Sequence, residues 1–169
     1  MKSLSLDSTV VRAHQKATGA KKKAYCLTEN QAIGLSRGGR TTKIHAVVDG
    51  LGNSIGFLLT GGQVHDSQVA CRLLSSLDIF QSNIIAHKAY GTAEIRQYIE
   101  TKQGTYTIPP RENIKHKWAC EYHVYWERHV IENLFNQLKN YRRIATRYDK
   151  LAHIFLANIY IASVCILFK

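Results

Sequence analysis

Acidic residues are scarce in this chain: 12 Asp and Glu stand against 23 Lys and Arg in 169 residues, giving a formal charge of +11 and a pI near 9.6. An excess of that size predicts attraction to a polyanion, and nucleic acid is the commonest one. Cysteine is sparse and scattered, at Cys26, Cys71, Cys120 and Cys165, with no C-x-x-C pair. That excludes a disulfide framework and predicts reduced thiols acting as small hydrophobes in a cytoplasmic protein. His116, Cys120 and His123 could share a helical face, but they lack the fourth ligand that a zinc site needs. The two prolines are adjacent, Pro109-Pro110, and are expected to stop a strand. Leu151 to Phe168 carries no Asp, Glu, Lys or Arg, yet His153, Asn158 and Ser163 interrupt it, so it reads as a buried terminal helix and not a membrane span. Met1-Lys2-Ser3 leads straight into an alternating segment, which is not how a signal peptide opens.

What is present fits one globular domain, with 45% hydrophobic and 21% charged residues. Ser3 to Val11 alternates as a strand, with Leu4 and Leu6 on one face and Ser5, Asp7 and Thr9 on the other. Residues 12–40 are basic and aperiodic, and read as a long loop containing Lys16, Lys21, Lys22 and Lys23. Lys43 to Val48 and Ile55 to Thr60 form a hairpin about Asp49-Gly50-Leu51-Gly52-Asn53. Asp66-Ser67 offers an N-cap to a helix reaching Leu77. A short strand at Asn83 to Ala86, a helix over Thr92 to Thr101 and a strand at Gly104 to Ile108 follow, then mostly helix from Tyr122. Three leading strands, then alternation, then a helical end predict an α/β fold with a mixed sheet flanked by helices.

The densest pattern is Tyr125, Arg128, Glu132 and Lys139, spaced Y-x2-R-x3-E-x6-K. On one α-helix these four fall within an arc of roughly 60°, since each residue advances about 100°. Val130, Ile131, Leu134, Phe135 and Leu138 form the neighbouring apolar stripe. Such a helix would present one carboxylate among cations, which suits a metal held close to a phosphodiester. Glu132 also has a plainer reading, as an i, i+4 partner of Arg128.

Four segments resemble the transposases of bacterial insertion sequences that use a DDE active site on a ribonuclease H-like fold. They are Leu6-Asp7-Ser8-Thr9; the run Ser36 to His45; Gly62-Gln63-Val64-His65-Asp66; and Tyr125 to Lys139, followed by Arg143 to Lys150. The resemblance spans essentially the whole chain. It implies three acids holding two Mg²⁺ ions, with Mn²⁺ as a substitute, for cutting and joining double-stranded DNA at transposon ends and target. Carried over, Asp7 and Glu132 are the first and third metal-ligating acids. The second catalytic position should open an Asp-Lys-Gly-Tyr segment, but here it reads His87-Lys88-Ala89-Tyr90. Imidazole suits softer metals than Mg²⁺, so cleavage and strand transfer are expected to be impaired. Asp66 could lend a substitute carboxylate or simply cap its helix.

Phosphate contacts are expected from Tyr125, Arg128 and Lys139, from Arg37 and Arg40 around a glycine pair, and from Arg142, Arg143 and Arg147. The resemblance also implies a helical DNA-binding region ahead of Asp7. The expectation is that this region is absent here, leaving a catalytic domain served by a homo-oligomer or a separate N-terminal partner chain, in the bacterial cytoplasm at the nucleoid. The alternative is a non-catalytic DNA-binding remnant that inhibits a full-length transposase.

Overall fold

A computed structural model of the chain describes residues 2–19 and 31–168. Lys21, Lys22 and Lys23 of the expected basic loop therefore lie outside the described residues. Seven strands join one mixed sheet, hydrogen-bonded in the order β2-β3-β1-β5-β6, with β4 also on β3 and β7 also on β1. They are β1 (Lys2–Ala13), β2 (Gly34–Ser36), β3 (Gly39–Asp49), β4 (Ser54–Gly61), β5 (Ser82–Ala86), β6 (Thr105–Thr107) and β7 (Thr146–Arg147). The helix-flanked mixed sheet expected of a ribonuclease H-like chain is what forms. Its residues fall into two compact units, and β1, β3 and β4 each contribute to both.

The first unit comprises Met1–Ser8, His45–Phe57 and His65–Leu134. In it β1 runs parallel to β5, from Lys2 opposite Ser82 to Leu6 opposite Ala86, and β5 runs parallel to β6. Every residue of β5 is buried, as its uninterrupted Ile84-Ile85-Ala86 run requires of a strand covered on both faces. Parallel neighbours need crossovers, supplied here by α1 (Ser67–Ser75) before β5 and α2 (Ala93–Thr101) after it. Helix α1 buries Val69, Ala70, Leu73 and Leu74, and α2 buries Ile95 and Ile99, each one stripe at helical spacing. The β3–β4 hairpin turns where expected: Asp49 Oδ1 accepts from the amides of Leu51 and Asn53, both at 2.9 Å, and Gly52 takes φ +87°.

The second unit comprises Thr9–Ile44, Leu58–Val64 and Phe135–Lys169. There the far end of β1 pairs in parallel with β7, Arg12 opposite Thr146, and β2 pairs antiparallel with the start of β3 through a turn with Gly39 at φ +89°. Within the segment expected as a loop over 12–40, ladder hydrogen bonds order Arg12, Ala13, Gly34–Ser36 and Gly39–Arg40 despite their lack of periodicity.

Three helical expectations need correction. The signature segment is not one α-helix. It consists of α3 (Tyr122–Tyr125), a 3₁₀ turn at Trp126–Arg128, and α4 (His129–Lys139), so the four signature residues do not follow a single 100° progression. His116 and Cys120 precede this helical stretch in irregular chain and share no helical face with His123. After α5 (Arg142–Ala145), the terminal helix α6 (Ala152–Leu167) buries only Phe155, Ile159, Ala162 and Ser163. Ile154, Ile161, Val164 and Leu167 on its other side are exposed, since helical spacing commits one stripe to the core whatever the helix's overall composition. No helix among the described residues is long and apolar enough to cross a membrane.

Candidate active site

Asp7 lies in the middle of β1, directly after the buried run Leu4-Ser5-Leu6, and its side chain keeps partial exposure. Arg128 closes the 3₁₀ turn ahead of α4, and Glu132 stands one turn further on. The Arg128 guanidinium donates from Nη1 to Asp7 Oδ2 and from Nη2 to Glu132 Oε1, joining acids that lie more than 120 residues apart in sequence. Its carbon sits 5.6 Å from the centre of the Tyr125 ring, which packs the cation from one side. The plainer i, i+4 reading of Glu132, as a partner of Arg128, is therefore realised.

Burial lifts the Asp7 carboxyl above its ordinary range; the Ser8 amide, Arg128 and His87 pull it back, and Asp66 pushes it up again. For Arg128, burial opposes the charge, but Asp7, Tyr125 and Glu132 outweigh it and raise its pKa.

Asp66 departs from its expected role as a cap. It occupies the N-cap position of α1, yet its backbone is already helical (φ −57°, ψ −38°) and its side chain caps nothing. A capping side chain needs extended backbone to reach the amides of the first turn. The Asp66 carboxylate instead accepts a 2.9 Å hydrogen bond from Ser8 Oγ, the residue after Asp7.

Nearby, the Tyr90 ring is fully buried, and its hydroxyl meets no partner in ordinary hydrogen-bond geometry, although Ser8, Asp66, Asp7 and Arg128 all act on it. His87 directly follows β5 and is half-buried; its Nδ1 accepts from the Ala89 amide at 3.3 Å, which starts a 3₁₀ turn over Lys88–Tyr90. An open hollow of 540 Å³ adjoins it, with Lys88 and Arg111 among its walls. Arg111 is fixed there by the carbonyls of Lys88 and Ala89, at 3.3 and 2.9 Å.

The remaining predicted phosphate contacts belong to the second unit. Arg37 and Arg40 are exposed around the β2–β3 turn, Lys139 is exposed at the end of α4, and Arg142 and Arg143 are exposed on α5, with Arg143 paired to Asp149 at 2.9 Å. Arg147 is different. It is completely buried, donates to Thr42 Oγ1 at 2.8 Å and to the carbonyl oxygens of Ala32, Asp149 and Lys150, and lies over the Phe155 ring. Burial lowers its pKa to about 10, with Asp149 only partly offsetting. A guanidinium so enclosed holds the fold together and is closed to a phosphate.

A family model described as the transposase DDE domain matches residues 2–167. The chain belongs to that family. The transposase domain is 36% identical over 126 residues to a putative transposase for insertion sequence element IS6501 from Brucella ovis, an alignment covering 72% of this chain and 94% of that protein. Among solved structures it is similar to the piggyBac transposase in a synaptic complex with hairpin DNA (13% identity, TM-score 0.44), over 67% of this chain and 24% of that one. It is also similar to the Mos1 transposase in a paired-end complex with the left transposon end (10% identity, TM-score 0.39), over 95% of this chain and 55% of that one. The transposase domain thus spans about a quarter and about half of those two chains.

Sequence reading singled out Asp7, Arg128, Glu132 and Asp66, but not the contacts of Asp7 with Arg128 or of Asp66 with Ser8. For Asp66 one clue was available: the third helical position is Val69, so the Glu or Gln of a reciprocal capping box is missing. No sequence signal announces Tyr90 or Arg111, because only the fold decides what a buried hydroxyl or a loop arginine faces.

Proposed function

We propose that this transposase domain cleaves double-stranded DNA and transfers strands at the site of Asp7 and Glu132, with help from a divalent cation, and that His87 weakens the reaction. The observation that carries this reading is the convergence of both acids on one positive group, the Arg128 guanidinium. Carboxylate oxygens are hard donors that suit Mg²⁺ or Mn²⁺. Among the described residues no three His, Cys, Asp or Glu side chains are arranged to hold a metal ion. Mg²⁺ is commonly held by only one or two carboxylates, with water and substrate phosphates completing its shell, so the donor set fits a cation shared with DNA. The chemistry a bound Mg²⁺ or Mn²⁺ supplies is stabilisation of negative charge on the attacking and leaving oxygens of a phosphodiester.

The chain's own residues do the rest. Asp7 and Glu132 hold the cation; Arg128, permanently protonated and packed on Tyr125, neutralises phosphate charge. Arg37, Arg40, Lys139, Arg142 and Arg143 are exposed cations that contact backbone phosphates and so bind without reading sequence. Recognition of transposon ends then falls to a further DNA-binding region or partner chain, and the working form is an oligomer at the bacterial nucleoid.

His87 supports a second reading, a DNA-binding remnant that inhibits an active transposase, because imidazole is a poor substitute for a carboxylate toward Mg²⁺. The two separate on His87→Asp, assayed for Mg²⁺-dependent nicking and strand transfer beside the unmodified chain. The catalytic reading expects a gain of about tenfold or more, near 1.4 kcal/mol off the barrier, that is lost again in His87→Asp/Glu132→Gln. DNA binding with no nicking by either protein would leave only the remnant.

A further inference from the structure

The open hollow of 540 Å³ lies next to Asp7 by strand register. β1 pairs in parallel with β5 as far as Leu6 opposite Ala86, so Asp7 and His87 follow side by side at the end of that ladder. Neighbouring strands are about 4.8 Å apart. His87 is a wall of the hollow, which Lys88, Arg111 and Glu112 also line, and all of these residues belong to the first unit with Asp7.

Arg111 is fixed there before any ligand arrives. Its Nε donates to the Lys88 carbonyl at 3.3 Å and its Nη2 to the Ala89 carbonyl at 2.9 Å, both in the 3₁₀ turn that follows His87. Two of a guanidinium's five N–H donors are thereby spent, and among the described residues Nη1 has no acceptor. The side chain is nevertheless exposed. A planar cation already held in one orientation loses little further freedom when an anion binds, and phosphate oxygens match its fork. Lys88 supplies a second positive charge. Its 3.4 Å pair with Glu112 joins two exposed side chains, a contact worth little in water, so the ammonium can exchange that carboxylate for a phosphate.

We propose that Arg111, assisted by Lys88, binds a backbone phosphate of the DNA in this hollow, next to Asp7. The proposal rests on the DNA-binding reading of the chain. It adds a phosphate contact that no sequence pattern announces, because Arg111 gains its place from two carbonyls more than 20 residues away.

The test is the salt dependence of duplex binding by the whole chain, read by fluorescence anisotropy between roughly 50 and 200 mM salt. Each phosphate neutralised contributes about 0.9 to the slope of log affinity against log salt. Arg111→Gln is expected to lower the slope by about that amount and to weaken binding by about tenfold at roughly 100 mM salt. Arg111→Lys loses the carbonyl fork but keeps the charge, so it should retain the slope and lose less than about threefold in affinity. A purely structural role would instead lower the melting temperature of both variants and leave the slope unmoved in both. That result, or an equal loss of slope in the two variants, would overturn the proposal. If Arg37→Gln/Arg40→Gln lowers the slope while Arg111→Gln does not, the hollow is no phosphate site and the DNA-binding reading survives. No salt-dependent binding by the unmodified chain would overturn both.

Discussion

Two arginines from one stretch of sequence have opposite fates. Arg128 reaches two acids and a tyrosine ring at the site, whereas Arg147 is enclosed by carbonyl oxygens and Thr42. Lysine cannot reproduce Arg147's planar fork, so Arg147→Lys is expected to lose about 3 kcal/mol in urea unfolding, from a buried network left unsatisfied. DNA affinity per folded molecule should not change. Arg128→Gln removes the counter-ion of a largely buried Asp7, an expected loss of about 2 kcal/mol at neutral pH; the exposed Glu132 contributes little. The pH dependence follows from Asp7, whose folded pKa is raised, by burial above all. Stability linked to its proton is present in acid and lost as pH rises through the folded value, so the Arg128→Gln deficit should shrink as pH falls toward that value. A deficit constant from neutral pH down through the carboxylate range would show that Asp7 does not feel Arg128.

Helix starts make the same point for elements. Thr92 and Asp66 both precede helices and look alike as capping residues in sequence. Thr92 has extended backbone (φ −78°, ψ 153°) and accepts from the Ile95 amide at 3.3 Å, so it caps α2. Thr92→Ala is therefore expected to cost about 1 kcal/mol in chemical denaturation, while Asp66→Asn loses no capping energy. The strands were readable because alternation and β-branched runs are local properties; β1, β3, β4 and β5 lie where the pattern places them. The 3₁₀ turn inside the signature was not readable, since nothing between Tyr125 and His129 breaks helical propensity. Nor was the exposed side of α6, because an apolar sequence does not say which stripe the core takes.

For the molecule as a whole, charge is the property that acts at a distance. A chain of +11 that neutralises about six phosphates should lose duplex affinity by about a thousandfold between roughly 50 and 200 mM salt. Fluorescence anisotropy on two duplexes of unrelated sequence should give the same slope. A shallow slope, or strong preference for one duplex, would mean that base contacts carry the binding instead of phosphates.

The sequence by itself determined the helix-flanked mixed sheet and the family, and singled out Asp7 and Glu132, because periodicity and motif spacing are written along the chain. Tertiary structure alone decided what surrounds Asp7. Arg128 bridges it to Glu132, Ser8 next to it donates to Asp66, and the charges of both aspartates act on the buried Tyr90 phenol. Those contacts join β1, the start of α1, the turn after β5 and the helical segment at Arg128. Only folding brings such distant segments within hydrogen-bond range, and a hydrogen bond between them leaves no trace in local sequence.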